Sequence, residues 1–161
     1  MYHKFVHGLN RYSQYIAMLL LVIMVFLVFL QIVMREVLNY SFSWTEEAAR
    51  YMLVWVSFIS SGFAYQYGAH ISIEVFVNKL KPTLNRAIKI IGTVIAIIFA
   101  IILITTGGEL VLENLMNKSP ALHLPMGLVY LAIPIGALLQ ILNIIDLLVY
   151  KNIVGSNEVS K

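Results

Sequence analysis

Four long stretches without Asp, Glu, Lys or Arg decide what this chain can fold into. They are residues 12–34, 51–73 and 90–108, and a last one whose apolar part begins near Met126 and ends before Asp146. A helix needs about 20 mostly apolar residues to cross the hydrocarbon core of a membrane, and each stretch has that length. Backbone polar groups in lipid must be hydrogen-bonded internally, and the stretches are too long for barrel strands. The pattern therefore predicts four transmembrane helices.

The overall composition agrees with a protein embedded in lipid. Only 12% of the 161 residues are charged and 60% are hydrophobic, whereas a soluble domain has about 25% charged residues. The chain has no cysteine, which excludes disulfides, thiolate metal sites and iron–sulfur clusters. We expect one all-α integral membrane domain over residues 1–161. Its predicted spans are about 12–34, 44–67, 87–108 and 126–148.

The first span is not expected to be a cleaved signal peptide. Its apolar core is too long, and the sequence from Gln31 to Arg35 offers no cleavage site of small residues. Orientation follows from the basic residues that flank the spans. Eight of the eleven Lys and Arg residues belong to the two termini and the second loop, against Arg35, Arg50 and Lys118 on the other side. This distribution places both termini in the cytoplasm.

Two segments are predicted to lie at the membrane surface. Residues 1–11 form a short lead-in with aromatic side chains that suit an interface. In the second loop, apolar residues recur at near-helical spacing from Ile73 to Leu84, which indicates an amphipathic helix that Pro82 interrupts. The alternation from Ile71 to Val75 leaves a strand open as an alternative.

The second span begins with an unusual group of charges. Ser43 and Glu46 match a capping box, and the two acids at 46 and 47 suit the positive end of a helix dipole. Both acids can reach Arg50 along the helix. Because charged groups near a span usually face protein or water, a docking role is an equally good interpretation. Whether these charges pair internally or with another protein stays open here. The candidate partner interface is Trp44, Glu46, Glu47, Arg50 and Trp55.

Small residues at regular spacing predict where helices pack closely. Gly92, Ala96 and Ala100 lie four residues apart in the third span, and Ser57 and Ser61 do so in the second. In the fourth span a proline predicts a kink, since it removes a backbone N–H donor. The candidate helix-packing residues are Ser57, Ser61, Gly62, Gly92, Ala96, Ala100, Pro134 and Gly136.

Chemistry-bearing groups are missing from the middle of every span. Ionisable residues within a membrane usually mark ion or substrate pathways, and none is present there. The four histidines fall in loops or at interfaces, without metal-ligand spacing, a nucleophile–base pair or a P-loop. A polar ladder of Gln140, Asn143 and Asp146 is interpreted as a helix end entering the headgroups. We therefore expect no catalytic, substrate-binding or metal-binding residues, no cofactor, no enzymatic activity and no nucleic-acid partner.

Three motifs give the chain a resemblance to a known family. They are WTEEAAR at residues 44–50, GAHISIEV at 68–75 and SPALHLPMGLVYLAIPIG at 119–136. Together with Trp55, Phe58 and Gly62 they follow the order and spacing of the small, DctQ-like membrane subunit of tripartite ATP-independent periplasmic (TRAP) transporters. The family usually has valine and aspartate after its His-Ile pair, where this chain has Ile73 and Glu74. The acid is kept.

The resemblance implies a role as a helper subunit. Such a subunit lies in the bacterial inner membrane beside a large subunit that carries substrate and sodium, and a periplasmic binding protein delivers an organic acid such as a dicarboxylate or sialic acid. The small subunit belongs to the stationary scaffold. Two alternatives stay open on the residues alone: a self-contained small exporter or channel made by oligomerisation, and a membrane enzyme subunit that binds haem or quinone.

Overall fold

The computed structural model of the chain describes residues 2–38, 42–67 and 82–158. Across these ranges the fold is all-helical, without a strand; the only pairing of extended residues is an isolated bridge between Lys118 and Pro125. The helices are α1 (Tyr2–Leu38), α2 (Ser43–Ala64), α3 (Pro82–Glu113), α4 (Met126–Tyr130) and α5 (Ala132–Glu158), with a 3₁₀ turn at Tyr65–Tyr67 after α2.

Three segments within the described ranges are long and apolar enough to cross a membrane. They are Tyr2–Val37, Ile90–Glu113 and Met126–Val149. Helix α2 is more polar, because it carries three charges at its start and three serines in its second half. The predicted amphipathic segment of the second loop lies, up to residue 81, outside the described residues, as does His70.

Helix α1 is longer than a span requires. Its 37 residues extend over about 55 Å at the standard rise, whereas the hydrocarbon core is about 30 Å thick. Residues 2–11, predicted as a short interfacial lead-in, are continuous with this helix. Val6 and Asn10 are fully buried within the bundle, so this end of α1 is part of the folded core.

The helices pack in a row, with α2 between α1 and α5, and α3 against the other side of α5. The buried and half-buried residues of α1 include 6, 10, 13, 17, 20, 24, 27, 31 and 34. Their alternating spacing of four and three is the heptad pattern of helices that cross at a shallow angle. In α5 the same spacing relates the buried residues 132, 136, 139, 143 and 146. The apolar centre consists of Ala17, Ile59 and Leu139, with Leu9, Trp55 and Phe63 packed around it.

Glycines bring α2 and α5 into close contact. A Cβ atom added at Gly136 would lie 2.5 Å from the carbonyl oxygen of Phe58, and one added at Gly62 would lie 2.9 Å from the carbonyl oxygen of Gly136. Both positions are buried. Only a residue without a side chain allows backbones to approach this closely, so the two glycines set the distance between the helices.

The other predicted packing residues are less uniform. Ala100 is fully buried and Ala96 is half-buried, whereas Ser57 and Ser61 are exposed. A Cβ atom at Gly92 would meet nothing within 4 Å. Two further close approaches were not predicted: Gly107 lies against Ile133 and Pro134, and Gly127 lies against the backbone of α3.

A break separates α4 from α5 at Leu131, three residues before Pro134. Proline lacks the N–H that would bond to the carbonyl of Tyr130, so the helix loses one internal bond here. Helical backbone hydrogen bonds continue on either side of the break, because the N–H of Leu131 donates to the Gly127 carbonyl at 3.0 Å and that of Ile135 donates to the Leu131 carbonyl at 3.2 Å.

The glycine contact predicts a contrast between two identical substitutions. Gly136→Ala should destabilise the protein by about 1–3 kcal/mol, because the new methyl group overlaps the backbone of α2. Gly92→Ala should be neutral or slightly stabilising, since alanine favours helix by about 1 kcal/mol and the site has room. Thermal unfolding in detergent measures both variants. Equal stabilities would show that the helices do not pack through Gly136.

Candidate functional site

The carboxylate of Glu47 holds a loop that lies more than 70 residues away in the sequence. Glu47 projects from the first turns of α2 and is about 9% exposed. Its Oε2 accepts hydrogen bonds from the backbone N–H groups of Ala121 at 2.7 Å and Leu122 at 3.3 Å. The hydroxyl of Tyr51, one turn along the helix, donates to Oε1. Bonds to a charged acceptor are stronger than neutral ones, so Glu47 fastens α2 to this loop.

The loop itself, residues 114–125, is tightly hydrogen-bonded. The N–H of Ser119 donates to the Leu124 carbonyl at 2.8 Å, and the N–H of Met126 donates to the Asn117 carbonyl at 2.8 Å. The buried Ser119 hydroxyl accepts from the N–H of Leu124 at 3.1 Å. His123 adopts a φ of 52°, a left-handed conformation that is uncommon for residues other than glycine. The loop is therefore a defined structure that joins α3 to α4.

The neighbouring acid behaves differently. Glu46 Oε1 accepts from Arg50 at 2.9 Å, and both side chains are more than half exposed. Exposed pairs of this kind contribute little to stability, so these charges can exchange their partner at small cost. The structure thus separates the three predicted charges: Glu46 pairs with Arg50, and Glu47 turns to the loop.

The predicted capping box at the start of α2 is wrong. The residue that caps the helix is Phe42, without a side-chain hydrogen bond at the cap, and Ser43 already lies in the helix. Instead the Thr45 hydroxyl donates back to the Phe42 carbonyl at 2.7 Å. The helix starts one residue earlier than the motif implies, which moves Ser43 out of the capping position.

The two tryptophans of the candidate interface have different surroundings. Trp44 is 42% exposed, and its ring lies 6.3 Å from that of Phe42. Trp55 is half-buried and packs on the apolar centre formed with Ala17, Ile59 and Leu139. The exposed part of the predicted interface is therefore Trp44, Glu46 and Arg50.

A second polar structure lies at the other end of α2. The amide nitrogen of Asn143 on α5 donates to the carbonyls of Gly62 at 3.2 Å and Leu139 at 2.9 Å, and to Asn10 Oδ1 on α1 at 2.9 Å. Asn10 donates in return to Asn143 Oδ1 at 2.6 Å. Asn10 and Asn143 are almost completely buried. Buried amides that satisfy each other fix the relative position of the helices that carry them.

The network extends toward the chain's first turns. Asn10 donates to Gln66 Oε1 at 2.7 Å, and the Gln66 amide contacts the ring of His7. Asp146, one turn beyond Asn143, lies 2.8 Å from Nδ1 of His3. The interpretation of Gln140, Asn143 and Asp146 as a helix end in the headgroups is wrong, because all three are buried. We call Asn10, Gln66 and Asn143 the amide network.

Sequence reasoning missed Asn10 and Gln66. Position 10 belongs to the heptad spacing of α1, where a polar residue specifies the register of the helices, but that spacing is visible only in the burial of the folded helix, because the span is apolar on every face. Gln66 offers no comparable signal, since it stands in a single 3₁₀ turn. The sequence likewise did not predict the hydrogen-bond partners of Glu47, because they are backbone groups of a distant loop.

The contact between Glu47 and the loop gives a stability prediction. Glu47→Ala should cost about 1.5–3 kcal/mol, since it removes hydrogen bonds to a charged acceptor and leaves two N–H groups without their partner. Glu46→Ala should change stability by less than about 0.5 kcal/mol, because its ion pair is exposed. Hydrogen–deuterium exchange at residues 119–124 should accelerate only in the first variant. Unchanged exchange in Glu47→Ala would contradict the role assigned to this carboxylate.

Known proteins resemble the chain along most of its length. Residues 24–151 match the model of the DctQ component of tripartite ATP-independent periplasmic transporters. A TRAP transporter small permease protein of Haemophilus influenzae is 32% identical over 86% of this chain and 86% of its own length. The C4-dicarboxylate TRAP transporter small permease protein DctQ of Rhodobacter capsulatus is 33% identical over 60% of this chain and 44% of its own.

A third relative is larger. The isethionate TRAP transporter permease protein DctMQ of Oleidesulfovibrio alaskensis is 27% identical over 58% of this chain and only 15% of its own length. Members of the matched family are transporter subunits and not catalysts, as the sequence predicted. The family match and the similarity to the Haemophilus protein both indicate a small TRAP transporter subunit, and both cover most of the chain. The chain therefore belongs to the DctQ family of small membrane subunits of TRAP transporters.

Proposed function

We propose that the chain is the non-catalytic scaffold subunit of a sodium-coupled TRAP transporter that imports an organic acid of the dicarboxylate or sialic-acid type. It works in the bacterial inner membrane with a large membrane subunit and a periplasmic substrate-binding protein. The names of two relatives, for C4-dicarboxylate and isethionate transport, support an organic anion as the substrate. The larger DctMQ relative supports association with a large membrane subunit.

One observation carries the proposal: the charges lie at the ends of the helices. No Asp, Glu, Lys, Arg or His occurs in residues 12–34, 51–66, 90–108 or 126–145. Transporters that couple ions to substrates place their sites near the membrane midplane. A chain without such groups can serve as a stationary support, while the large subunit moves and binds the anion and sodium.

We further propose that α2 is a fourth span and that both termini are cytoplasmic. Its 22 residues extend over about 33 Å, which is enough to cross. Serine is tolerated there, because the exposed Ser57 hydroxyl donates to the Leu53 carbonyl at 2.7 Å and needs no other partner. This arrangement places the Glu47 carboxylate and the 114–125 loop on the periplasmic side.

On this view the periplasmic end of α2 is the docking surface. The loop held by Glu47 provides a rigid support, and Trp44, Glu46 and Arg50 present an aromatic ring and two exposed charges beside it. The exposed large apolar side chains of α1 and α3 would face lipid or the large subunit. Of the three charges at the start of α2, the exposed Glu46 and Arg50 can contact another protein without opening the fold.

A charge swap tests the docking surface without breaking the internal pair. The double variant Glu46→Arg, Arg50→Glu keeps an ion pair at the same spacing but reverses the position of each charge. We expect normal stability together with at least about tenfold less substrate uptake or copurified large subunit, since charges of the wrong sign disfavour an interface. Full uptake and assembly in this variant would show that the pair has only an internal role.

Reconstitution tests the scaffold role itself. Liposomes with this chain alone should show no accumulation of a dicarboxylate or sialic acid in a sodium gradient, because the chain has no midplane site. Liposomes that also contain the large subunit and the binding protein should accumulate substrate only with inward sodium. Solute flux through the chain alone would favour the self-contained exporter or channel.

A further inference from the structure

Three metal-ligating side chains converge where α1 meets α5. His3 and His7 are one helical turn apart on α1, and Asp146 reaches them from α5. One ligand atom from each residue lies within 4.8 Å of the others. His3 Nδ1 is 2.8 Å from Asp146 Oδ2. The centroids of the two imidazole rings are 4.3 Å apart, and the angle between the ring planes is 69°. Neither histidine takes part in the proposed transport role.

We propose that His3, His7 and Asp146 form a binding site for a divalent transition-metal ion such as Zn²⁺. Two imidazoles and a carboxylate suit zinc and its neighbours, whereas magnesium and calcium prefer oxygen ligands alone. Zinc lies about 2.0–2.2 Å from such ligands, so that ligand atoms in a tetrahedral site are about 3.4 Å apart. The observed spacings are 2.8 Å between His3 Nδ1 and Asp146 Oδ2 and no more than 4.8 Å within the set of three, so binding would require small side-chain adjustments.

The surroundings of Asp146 favour a cation. Its residue is only 8% exposed, and its described partner is the half-exposed imidazole of His3. A buried carboxylate needs charge compensation, which a divalent ion supplies more fully than a histidine. A cleft of about 340 Å³ opens beside the three residues and is also lined by Gln66, Asn143 and Leu147. It gives an ion access and leaves room for a water molecule as a fourth ligand.

The amide network lies directly behind the ligands. Asn143 lies one turn before Asp146 and is fixed by two backbone carbonyls. Gln66 contacts Nδ1 of His7 and lies 3.4 Å from Nε2. Metal-bound histidines usually donate a hydrogen bond from their other ring N–H to a neighbouring acceptor. Gln66 Oε1 can accept this hydrogen bond if the amide turns over, which would cost the bond from Asn10.

An ion here would join the first turns of α1 to the middle of α5. Direct contacts at this place include the His3–Asp146 pair and the bond from the Tyr2 hydroxyl to the Leu142 carbonyl at 3.1 Å. Replacing an exposed hydrogen bond by coordination would hold this end of α1 more firmly. The inference does not depend on the transported substrate or on the partner subunits.

Titration with Zn²⁺ tests the site. The full chain is purified in detergent with any polyhistidine tag removed, and binding is measured by calorimetry and, with Co²⁺, by visible absorption. We expect one ion per chain. His3→Ala and Asp146→Asn should each weaken binding at least about tenfold, because loss of even an outer-shell partner has an effect of that size. Thermal unfolding in EDTA establishes that each variant is folded.

His123→Asn is the matched control, because it removes a histidine far from the site. Asparagine tolerates the left-handed φ of 52° at this position, so binding should be unchanged. Zn²⁺ should also raise the unfolding temperature of the wild-type chain and of His123→Asn, but not that of His3→Ala. The proposal is overturned if the wild-type chain binds no stoichiometric ion, or if His3→Ala and Asp146→Asn bind as tightly as the wild type.

Discussion

The crossing of α2 on α5 at Gly62 and Gly136 is the contact on which the rest of the fold depends. Lipid tails are as apolar as leucine, so the hydrophobic effect does little to bring helices together in a membrane. Close backbone packing and hydrogen bonds must do so instead. The two glycines allow the close backbone packing. Hydrogen bonds form at both ends of α2: Asn143 donates to the Gly62 carbonyl at one end, and Glu47 accepts from the backbone of the 114–125 loop at the other.

The contacts at the two ends of α2 differ in a way that suits the proposed scaffold role. The amide network is neutral and its two asparagines are buried, so it can define helix positions without using a charged group. The Glu47 contact uses charge at a helix end and rigidifies a loop at the surface. Beside it the exposed pair of Glu46 and Arg50 contributes little to the fold. A surface can evolve toward a partner most easily where its charges are not needed internally.

Sequence reasoning predicted those features that depend on long averages. Helical segments and their apolar character follow from stretches of 20 residues, so the sequence predicted long apolar helices that overlap α1, α3 and α5. Sequence reasoning failed where a single hydrogen bond or tertiary contact determines the local structure. Ser43 fits a capping motif, yet the helix starts a residue earlier and Thr45 makes the bond. Asp146 looked like a solvated helix end, because only tertiary structure shows that His3 reaches it from the start of the chain.

The family resemblance acquires a physical meaning from the same contact. Two of the motifs that carry it, at residues 44–50 and 119–136, are joined in space by the bonds from Ala121 and Leu122 to Glu47. The acid at position 47 is therefore explained by the fold, without a partner or a substrate. What the fold leaves unexplained in the first motif is the exposed group of Trp44, Glu46 and Arg50. If the motif also records an interaction with another subunit, those three residues are where it must be found.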